Sequence, residues 1–212
     1  MDNEKYFEIN RQTWDNKVPI HLDSEFYDQK SFLEGKNSLP DIDIALLGNI
    51  QNKSILHLQC HFGQDSISMA RMDAKVTGLD LDNWAKIISQ SLKPCGKLVF
   101  VEFHPFVWMF DDNFKEIKYH YHNERPIIEE YTRTYADKNA AITTDYIGWN
   151  HSLSEVFSSL IKNGLEIIDF REYDYSPYNC FNETIEFEKD KFRIKHFENK
   201  IPMLYSLTAI RK

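Results

Sequence analysis

The sequence lacks the long apolar segments and basic clusters that mark membrane-spanning and nucleic-acid-binding proteins. No apolar run approaches about 18 residues, the length that suggests a transmembrane helix. The first ten residues, MDNEKYFEIN, hold neither the basic nor the apolar segment of a secretion signal. No basic stripe occurs, and the net charge of −8 opposes binding to a phosphate backbone. We therefore expect a cytoplasmic protein with no membrane and no nucleic-acid partner.

Cysteine is also scarce. The three cysteines, Cys60, Cys95 and Cys180, are odd in number and widely spaced, so we expect no disulfide framework and a reducing compartment. The chain of 212 residues is long enough to bury a core without disulfides or metals. Its apolar share of 42% and charged share of 27% are ordinary for a globular protein. We predict a single domain over residues 1–212, and the sequence leaves its oligomeric state open.

Strand and helix patterns alternate along the chain after a mostly helical prelude at residues 1–50. Apolar runs predict strands at 54–60, 74–80, 97–103, 165–173 and 202–212. Helices are predicted after the turn HFGQD, at 82–93, and after a capping box formed by Ser152 and Glu155. This order predicts an α/β fold with a mostly parallel sheet. In such sheets ligands bind beyond the carboxyl ends of the strands.

Residues 104–150 interrupt that alternation. The segment is aromatic and polar with little periodicity, apart from hairpin-like alternation in KYHYH and EEYTRTYA. It is long for a connection, which is typical of a functional or inserted segment. We predict an inserted lid there. The alternative is that its aromatic residues form a binding surface for a ligand or a partner.

The stretch SILHLQCHFGQDSISMARMDAKVTGLD carries the strongest chemical signal. It has the order strand, tight turn, helix, strand and acid, which is the arrangement that cradles a nucleotide. The helix N-terminus offers backbone N–H groups, and the acid accepts hydrogen bonds from ribose hydroxyls. Asp80 stands 17 residues after Gly63, close to the roughly 20 residues typical of a ribose-binding acid.

This stretch resembles motif I of class I S-adenosylmethionine (SAM)-dependent methyltransferases, in a bacterial subgroup that carries LHLQCHFGQD instead of the usual glycine-rich pattern. The resemblance extends to NRQTWDNKVPIHLDSEFYD, to LKPCGKLVFVEFHP and to GWNHSLSEVFSSLIKNGLEIIDFREYDYSPY, so it covers nearly the whole chain. It implies a Rossmann-like methyltransferase fold, SAM as cofactor and a small-molecule methyl acceptor.

The resemblance also implies roles for individual residues. His57 occupies the position of the usual acid, and Gln59, His61 and Gly63 occupy those of the three glycines. The residues expected to bind the cofactor are Trp14, His21, Tyr27, Gln59, Cys60, His61, Gly63, Gln64, Asp65 and Asp80. His104 directly follows strand 97–103, where the methyl acceptor is expected, and is the candidate catalytic base for the acceptor's proton.

A metal site is an alternative interpretation of two groups of residues with good ligand atoms. These groups are His57, Cys60 and His61, and His104, His120 and His122. Residues of a strand and of the turn after it point in different directions, and no further ligand follows at zinc-finger spacing. We therefore expect no metal.

The join VTGLDLDNWAKII, at residues 76–88, is short for the resembled family. In that family two more strands with their helices separate the acid from the helix that precedes KLVFVEF, roughly 40 residues in all. Either an internal segment is absent from this sequence alone, or the protein is a reduced fold in which strand 97–103 pairs beside strand 54–60. A reduced fold lacks the wall that would hold adenine. The alternative to an active enzyme is then a non-catalytic remnant or a binding module.

Overall fold

The computed structural model of the protein describes residues 3–79, 84–123 and 125–212. Its α-helices are α1 (Asn3–Asp23), α2 (Gln29–Leu33), α3 (Asp41–Leu47), α4 (Gln64–Arg71), α5 (Trp84–Ser91) and α6 (Leu153–Lys162). Its strands are β1 (Ser54–Leu58), β2 (Lys75–Leu79), β3 (Lys97–Phe103), β4 (Ile127–Thr132), β5 (Thr143–Gly148), β6 (Leu165–Tyr173), β7 (Thr184–Glu188), β8 (Lys191–Ile194) and β9 (Leu204–Arg211).

The chain divides into two compact units. Unit 1 comprises Met1–Asp82 and Pro126–Gly148, and unit 2 comprises Asn83–Arg125 and Trp149–Lys212. The first division, between Asp82 and Asn83, falls inside the short join that the sequence singles out. Residues 80–83 of that join, which include the predicted ribose-binding Asp80, lie outside the described residues.

Unit 1 is built on a parallel pair of strands. β1 and β2 pair along their whole length, and α4 supplies the crossover that parallel neighbours require. A core of Ile50, Met69 and Ala74 packs with Ile55 and Val76 of the two strands. The turn between β1 and α4 is therefore held by a strand on one side and a packed helix on the other.

The long helix α1 packs on the β4–β5 hairpin within unit 1. The Asn10 side chain makes two hydrogen bonds with the backbone of Ile147, donating at 2.7 Å and accepting at 3.0 Å. Thr13 Oγ1 donates to the carbonyl of Asp145 at 2.5 Å. These bonds fix the rotation of α1, and they decide which of its side chains are buried.

Unit 2 is built on an antiparallel sheet in the order β3–β9–β6. The central strand β9 is buried from Leu204 to Ala209. The helix α6 begins at the predicted capping box: Ser152 Oγ accepts from the N–H of Glu155 at 3.3 Å, and Glu155 Oε2 accepts from the N–H of Ser152 at 2.8 Å. This helix start and strand β6 confirm the sequence prediction for that region.

The predicted mixture of helices and strands is confirmed, but the prediction of a mostly parallel sheet is wrong. The described strands form four separate sheets, and only the β1–β2 pair is parallel. Among these residues β1 pairs only with β2, so the strand order expected for a reduced fold is not formed. Of the remaining predicted strands, β3 and β6 each pair antiparallel with β9, which is the last described strand.

The predicted lid at residues 104–150 does not belong to one body. Its first part, through Arg125, lies in unit 2, and the hairpin β4–β5 lies in unit 1. Its role as a lid stays a prediction. Across the described ranges, no helix combines the length and apolar character needed to cross a bilayer.

Candidate functional site

The turn after β1 holds three residues in the left-handed backbone conformation. The φ angles are 54° at Gln59, 48° at His61 and 92° at Gly63. Glycine adopts such angles freely, whereas for other residues they cost on the order of 1–2 kcal/mol each. The three positions are those of the glycines in the resembled motif. The turn therefore keeps a glycine-like backbone path although two of its residues carry large side chains.

This turn packs closely against β2. A Cβ atom on Gly78 would lie 2.9 Å from Cys60 Sγ, so the absence of a side chain at Gly78 allows the approach. His57, at the end of β1, lies with Nδ1 2.9 Å from Ser66 Oγ on α4. The helix α4 begins after Gly63, and no side chain of a described residue caps it. Its first N–H groups are thus available to a ligand rather than to a capping side chain.

Three residues expected to bind the cofactor contact a fourth, His61, which belongs to this turn. They form what we call the histidine cluster: Trp14, His21, Tyr27 and His61. The ring centroids of Trp14 and His61 are 5.4 Å apart, those of Tyr27 and His61 are 5.8 Å apart, and His21 Nδ1 lies 3.0 Å from His61 Nε2. Tyr135, from the segment before β5, hydrogen bonds to the Tyr27 hydroxyl and brings its ring within 4.9 Å of the His21 ring.

His21 is the most buried member of the histidine cluster. Its side chain is fully buried, and its Nε2 atom has no hydrogen-bond partner among the residues that the structure describes. Burial first, and then the neighbouring His61 and Lys17, lower the pKa of His21 to about 4. The ring is therefore neutral at pH 7. A buried ring nitrogen without a partner costs on the order of 1–3 kcal/mol, which a ligand can recover by bonding to it.

Two further predicted cofactor residues hold the prelude against α4. Gln64 Nε2 donates to the carbonyl of Tyr27 at 3.1 Å and to Gln29 Oε1 at 2.8 Å. Asp65 Oδ1 accepts a hydrogen bond from Ser38 Oγ at 2.6 Å. Gln64 thus fixes the position of Tyr27 relative to the turn, and Asp65 ties the segment at Ser38 to the start of α4.

The candidate base His104 lies in unit 2, where β3 ends. Its Nδ1 accepts the N–H of Phe106 at 3.1 Å, so the ring proton of the neutral form is on Nε2. Nε2 lies 3.0 Å from Glu172 Oε1 on β6, but the alignment is too poor for a well-formed hydrogen bond. Burial lowers the pKa of His104, and Glu172 opposes that shift. The His104 side chain is buried, whereas that of Glu172 is half exposed.

Asn150, just before α6, is bonded to the same loop. Its Nδ2 donates to the carbonyl of Pro105 at 3.1 Å and lies 3.5 Å from that of His120. Because carbonyls only accept, these partners settle which end of the amide carries the nitrogen. The other end, Oδ1, is buried and has no partner in the described ranges, and the residue is 3% exposed. An N–H or O–H group of a ligand could donate the hydrogen bond that Asn150 Oδ1 lacks.

The structure thus brings together Trp14, His21, Tyr27 and His61, and leaves Gln59 exposed on the turn beside them. The role of each in binding stays a prediction. No three His, Cys, Asp or Glu side chains within the described ranges are placed to hold a metal ion.

Sequence reasoning missed Lys17, Tyr135, Glu172 and Asn150. The first could have been found, because Trp14, Lys17 and His21 follow the helical spacing i, i+3, i+7 and share one face of α1. Tyr135 carries no such signal, since 108 residues separate it from its partner Tyr27.

No protein-family model matches the chain, and no curated protein matches it. Solved structures share a partial likeness. One from Listeria monocytogenes, provisionally described as an S-adenosylmethionine-dependent methyltransferase, is 17% identical with a TM-score of 0.49, over 79% of this chain and 95% of that chain. A methyltransferase from Mesorhizobium loti, also described as S-adenosylmethionine-dependent, is 14% identical with a TM-score of 0.46, over 84% and 100%.

A third structure, described as a SAM-dependent methyltransferase from Methanosarcina mazei, is 13% identical with a TM-score of 0.43, over 82% of this chain and 98% of that chain. With TM-scores below 0.5, these likenesses carry no argument about the activity of this chain. The functional argument therefore rests on the residues of the turn, on the histidine cluster, and on His104, Glu172 and Asn150 of unit 2.

Proposed function

We propose that this protein is a SAM-dependent methyltransferase of a small molecule, with cofactor binding weakened by the loss of an internal segment. The observation that carries the proposal is the left-handed backbone at Gln59, His61 and Gly63. Strained residues of this kind persist where the surrounding structure requires them, and they concentrate at ligand sites. The two strained residues here, Gln59 and His61, occur where a glycine-rich cofactor turn would have glycines.

The residues present fit the amino-acid end of SAM. The turn exposes backbone N–H groups at the uncapped start of α4, and the partnerless His21 Nε2 adds a polar contact in the histidine cluster. SAM, when bound, supplies a methyl group on a positively charged sulfur. Tyr27 offers an aromatic ring, which attracts such a cation. Asp80, for the ribose, lies outside the described residues.

Unit 2 supplies the proposed acceptor-binding and proton-accepting groups. His104 Nδ1 accepts the N–H of Phe106 and Nε2 carries the proton, so the neutral ring has no nitrogen left to accept a proton, and Nε2 lies 3.0 Å from Glu172 Oε1. We assign the role of base to the His104–Glu172 pair, with the Glu172 carboxylate taking the proton of the acceptor. Asn150 Oδ1 accepts a hydrogen bond from an N–H or O–H group of that acceptor.

A titration of the purified protein tests the proposal. We expect SAM and its demethylated product S-adenosylhomocysteine to bind with a dissociation constant of roughly 1 mM, about −4 kcal/mol, because only part of the ligand has residues to hold it. ATP, an adenosine ligand without an amino-acid end, serves as the control and should not compete. Absence of any binding signal at millimolar ligand would contradict the proposal and favour a non-catalytic remnant or a binding module.

The missing segment is part of the same proposal. Four residues, 80–83, separate the described end of β2 from α5, and the boundary between units falls among them. β1, a central strand in a complete fold of this type, has Leu56 36% exposed instead of buried. Intact-mass spectrometry of the natural protein should give 25.2 kDa. A mass higher by several kilodaltons would show that the segment is present in the protein.

A further inference from the structure

Lys17 of α1 is a buried cation that forms no ion pair within the part of the chain that the structure describes. The residue is 7% exposed, and among the described residues no carboxylate forms an ion pair with it. Burial lowers the pKa of its ammonium group. Lysine is almost never so buried unless it is paired, so the arrangement calls for an explanation.

The aromatic neighbours of Lys17 do not stabilise its charge enough to explain its burial. The Lys17 ammonium lies 4.9 Å from the ring centroid of Trp14 and 5.9 Å from that of Tyr146. Cation–π contacts contribute about 0.5–2 kcal/mol, whereas removing a charge from water costs several kcal/mol. The contacts leave most of that cost unbalanced, and an anion would balance it.

The surroundings of Lys17 limit the chemistry of that anion. Lys17 and His21 are four residues apart on the same face of α1, and His21 contacts His61 of the turn. The face therefore offers one ammonium charge and one partnerless ring nitrogen, His21 Nε2, between aromatic rings. A single positive charge matches a carboxylate better than a doubly charged phosphate, and it repels a metal cation.

We propose that Lys17 and His21 form a carboxylate-binding subsite for the α-amino-acid end of the ligand held by the turn at Gln59–Gly63. The proposal rests on the proposed function, because it assigns one end of the same ligand. It adds a residue with a defined role: Lys17 distinguishes ligands that have the α-carboxylate from ligands that lack it. Lys17 is a binding residue and takes no part in proton transfer.

Paired titrations test this subsite. The probes are S-adenosylhomocysteine and its decarboxylated analogue, which has the amine but no carboxylate, and ligand-observed NMR measures both affinities. The unaltered protein should bind S-adenosylhomocysteine about tenfold more tightly than the analogue, since a hydrogen bond to a charged group contributes roughly that much. The variant Lys17→Met should lose this preference, and Lys17→Arg, which keeps the charge, should retain part of it.

The outcomes separate the two proposals. If Lys17→Met binds S-adenosylhomocysteine as tightly as the unaltered protein does, the subsite is wrong and the proposed function stands. If the unaltered protein binds neither probe, the proposed function fails and the subsite fails with it. Far-UV circular dichroism checks folding of each variant, and Lys17→Gln replaces Lys17→Met if the latter does not fold. Lys17→Gln should also lose the preference, and a preference kept by a folded Lys17→Gln variant would overturn the subsite.

Discussion

Lowering the pH from 7 to 4 is expected to remove about 3 kcal/mol of the stability that depends on His21. The pKa of His21 falls from 6.5 to about 4 in the folded protein, so between these values the unfolded chain binds the proton more readily. Above pH 6.5 the ring is neutral in both the folded and the unfolded chain, and the full stability is present. As the pH falls from 6.5 to about 4, the unfolded chain takes up the proton first, and the free energy of unfolding decreases. The free energy of unfolding, measured by urea titration at several pH values, checks the slope.

Variants isolate the His21 contribution from other groups. Burial raises the pKa of Asp43 to about 6. As the pH falls through the same range, the folded protein binds this proton more readily than the unfolded chain does, so Asp43 raises the free energy of unfolding while His21 lowers it. The informative quantity is therefore the difference in slope between the unaltered protein and His21→Gln, which should show less loss of stability on acidification. Tyr27→Phe, which alters the histidine cluster without removing an imidazole, should keep the original slope. Equal slopes for His21→Gln and the unaltered protein would mean that His21 is not buried as a neutral ring.

Substitutions at Gln59 should separate by about 2 kcal/mol according to their tolerance of the left-handed conformation. At a φ of 54°, Gln59→Gly relieves the steric cost and should leave stability unchanged or slightly raised. Gln59→Val places a β-branched side chain there, for which this conformation is an outlier, and should lower the free energy of unfolding. Because Gln59 is exposed, neither change removes a buried contact. Chemical denaturation of both variants measures the difference.

The matched control lies on β1, the strand that precedes the turn. Leu56, on β1, is partly exposed, and its extended conformation suits a β-branched residue. Leu56→Val should therefore be tolerated far better than Gln59→Val. A turn that accepts valine at position 59 without loss would contradict the left-handed assignment, and with it the comparison to a glycine-rich cofactor turn.

Local sequence patterns predicted elements whose signals are short-range. The strands β1, β2 and β3 follow from apolar runs, and the capping box of α6 follows from Ser152 and Glu155 alone. The direction in which strands pair is not a local property. β9 lies between β3 and β6 as an antiparallel neighbour of both. The apolar pattern within each of the three strands does not indicate this pairing.

The same distinction applies to the candidate site. His61 and Gly63 could be assigned to a ligand-binding turn because they are part of one continuous motif. Glu172 becomes a partner of His104 only when β6 and β3 join the same sheet. In the sequence, the position of Glu172 near the end of a predicted strand indicates a role in the site only weakly. The burial of Lys17 depends in the same way on the packing of α1 against β5, a contact between distant parts of the chain.

Hydrogen–deuterium exchange with and without S-adenosylhomocysteine tests the central claim most directly, because it locates the ligand on the chain. With the ligand at millimolar concentration, we expect slower exchange in peptides that cover Gln59–Gly63 and the start of α4, and in the α1 peptide that contains Lys17 and His21. Peptides of the β7–β8 hairpin serve as an internal control and should not change. Unchanged exchange at the turn and α1, or protection confined to unit 2, would contradict the assignment of this turn as the cofactor site.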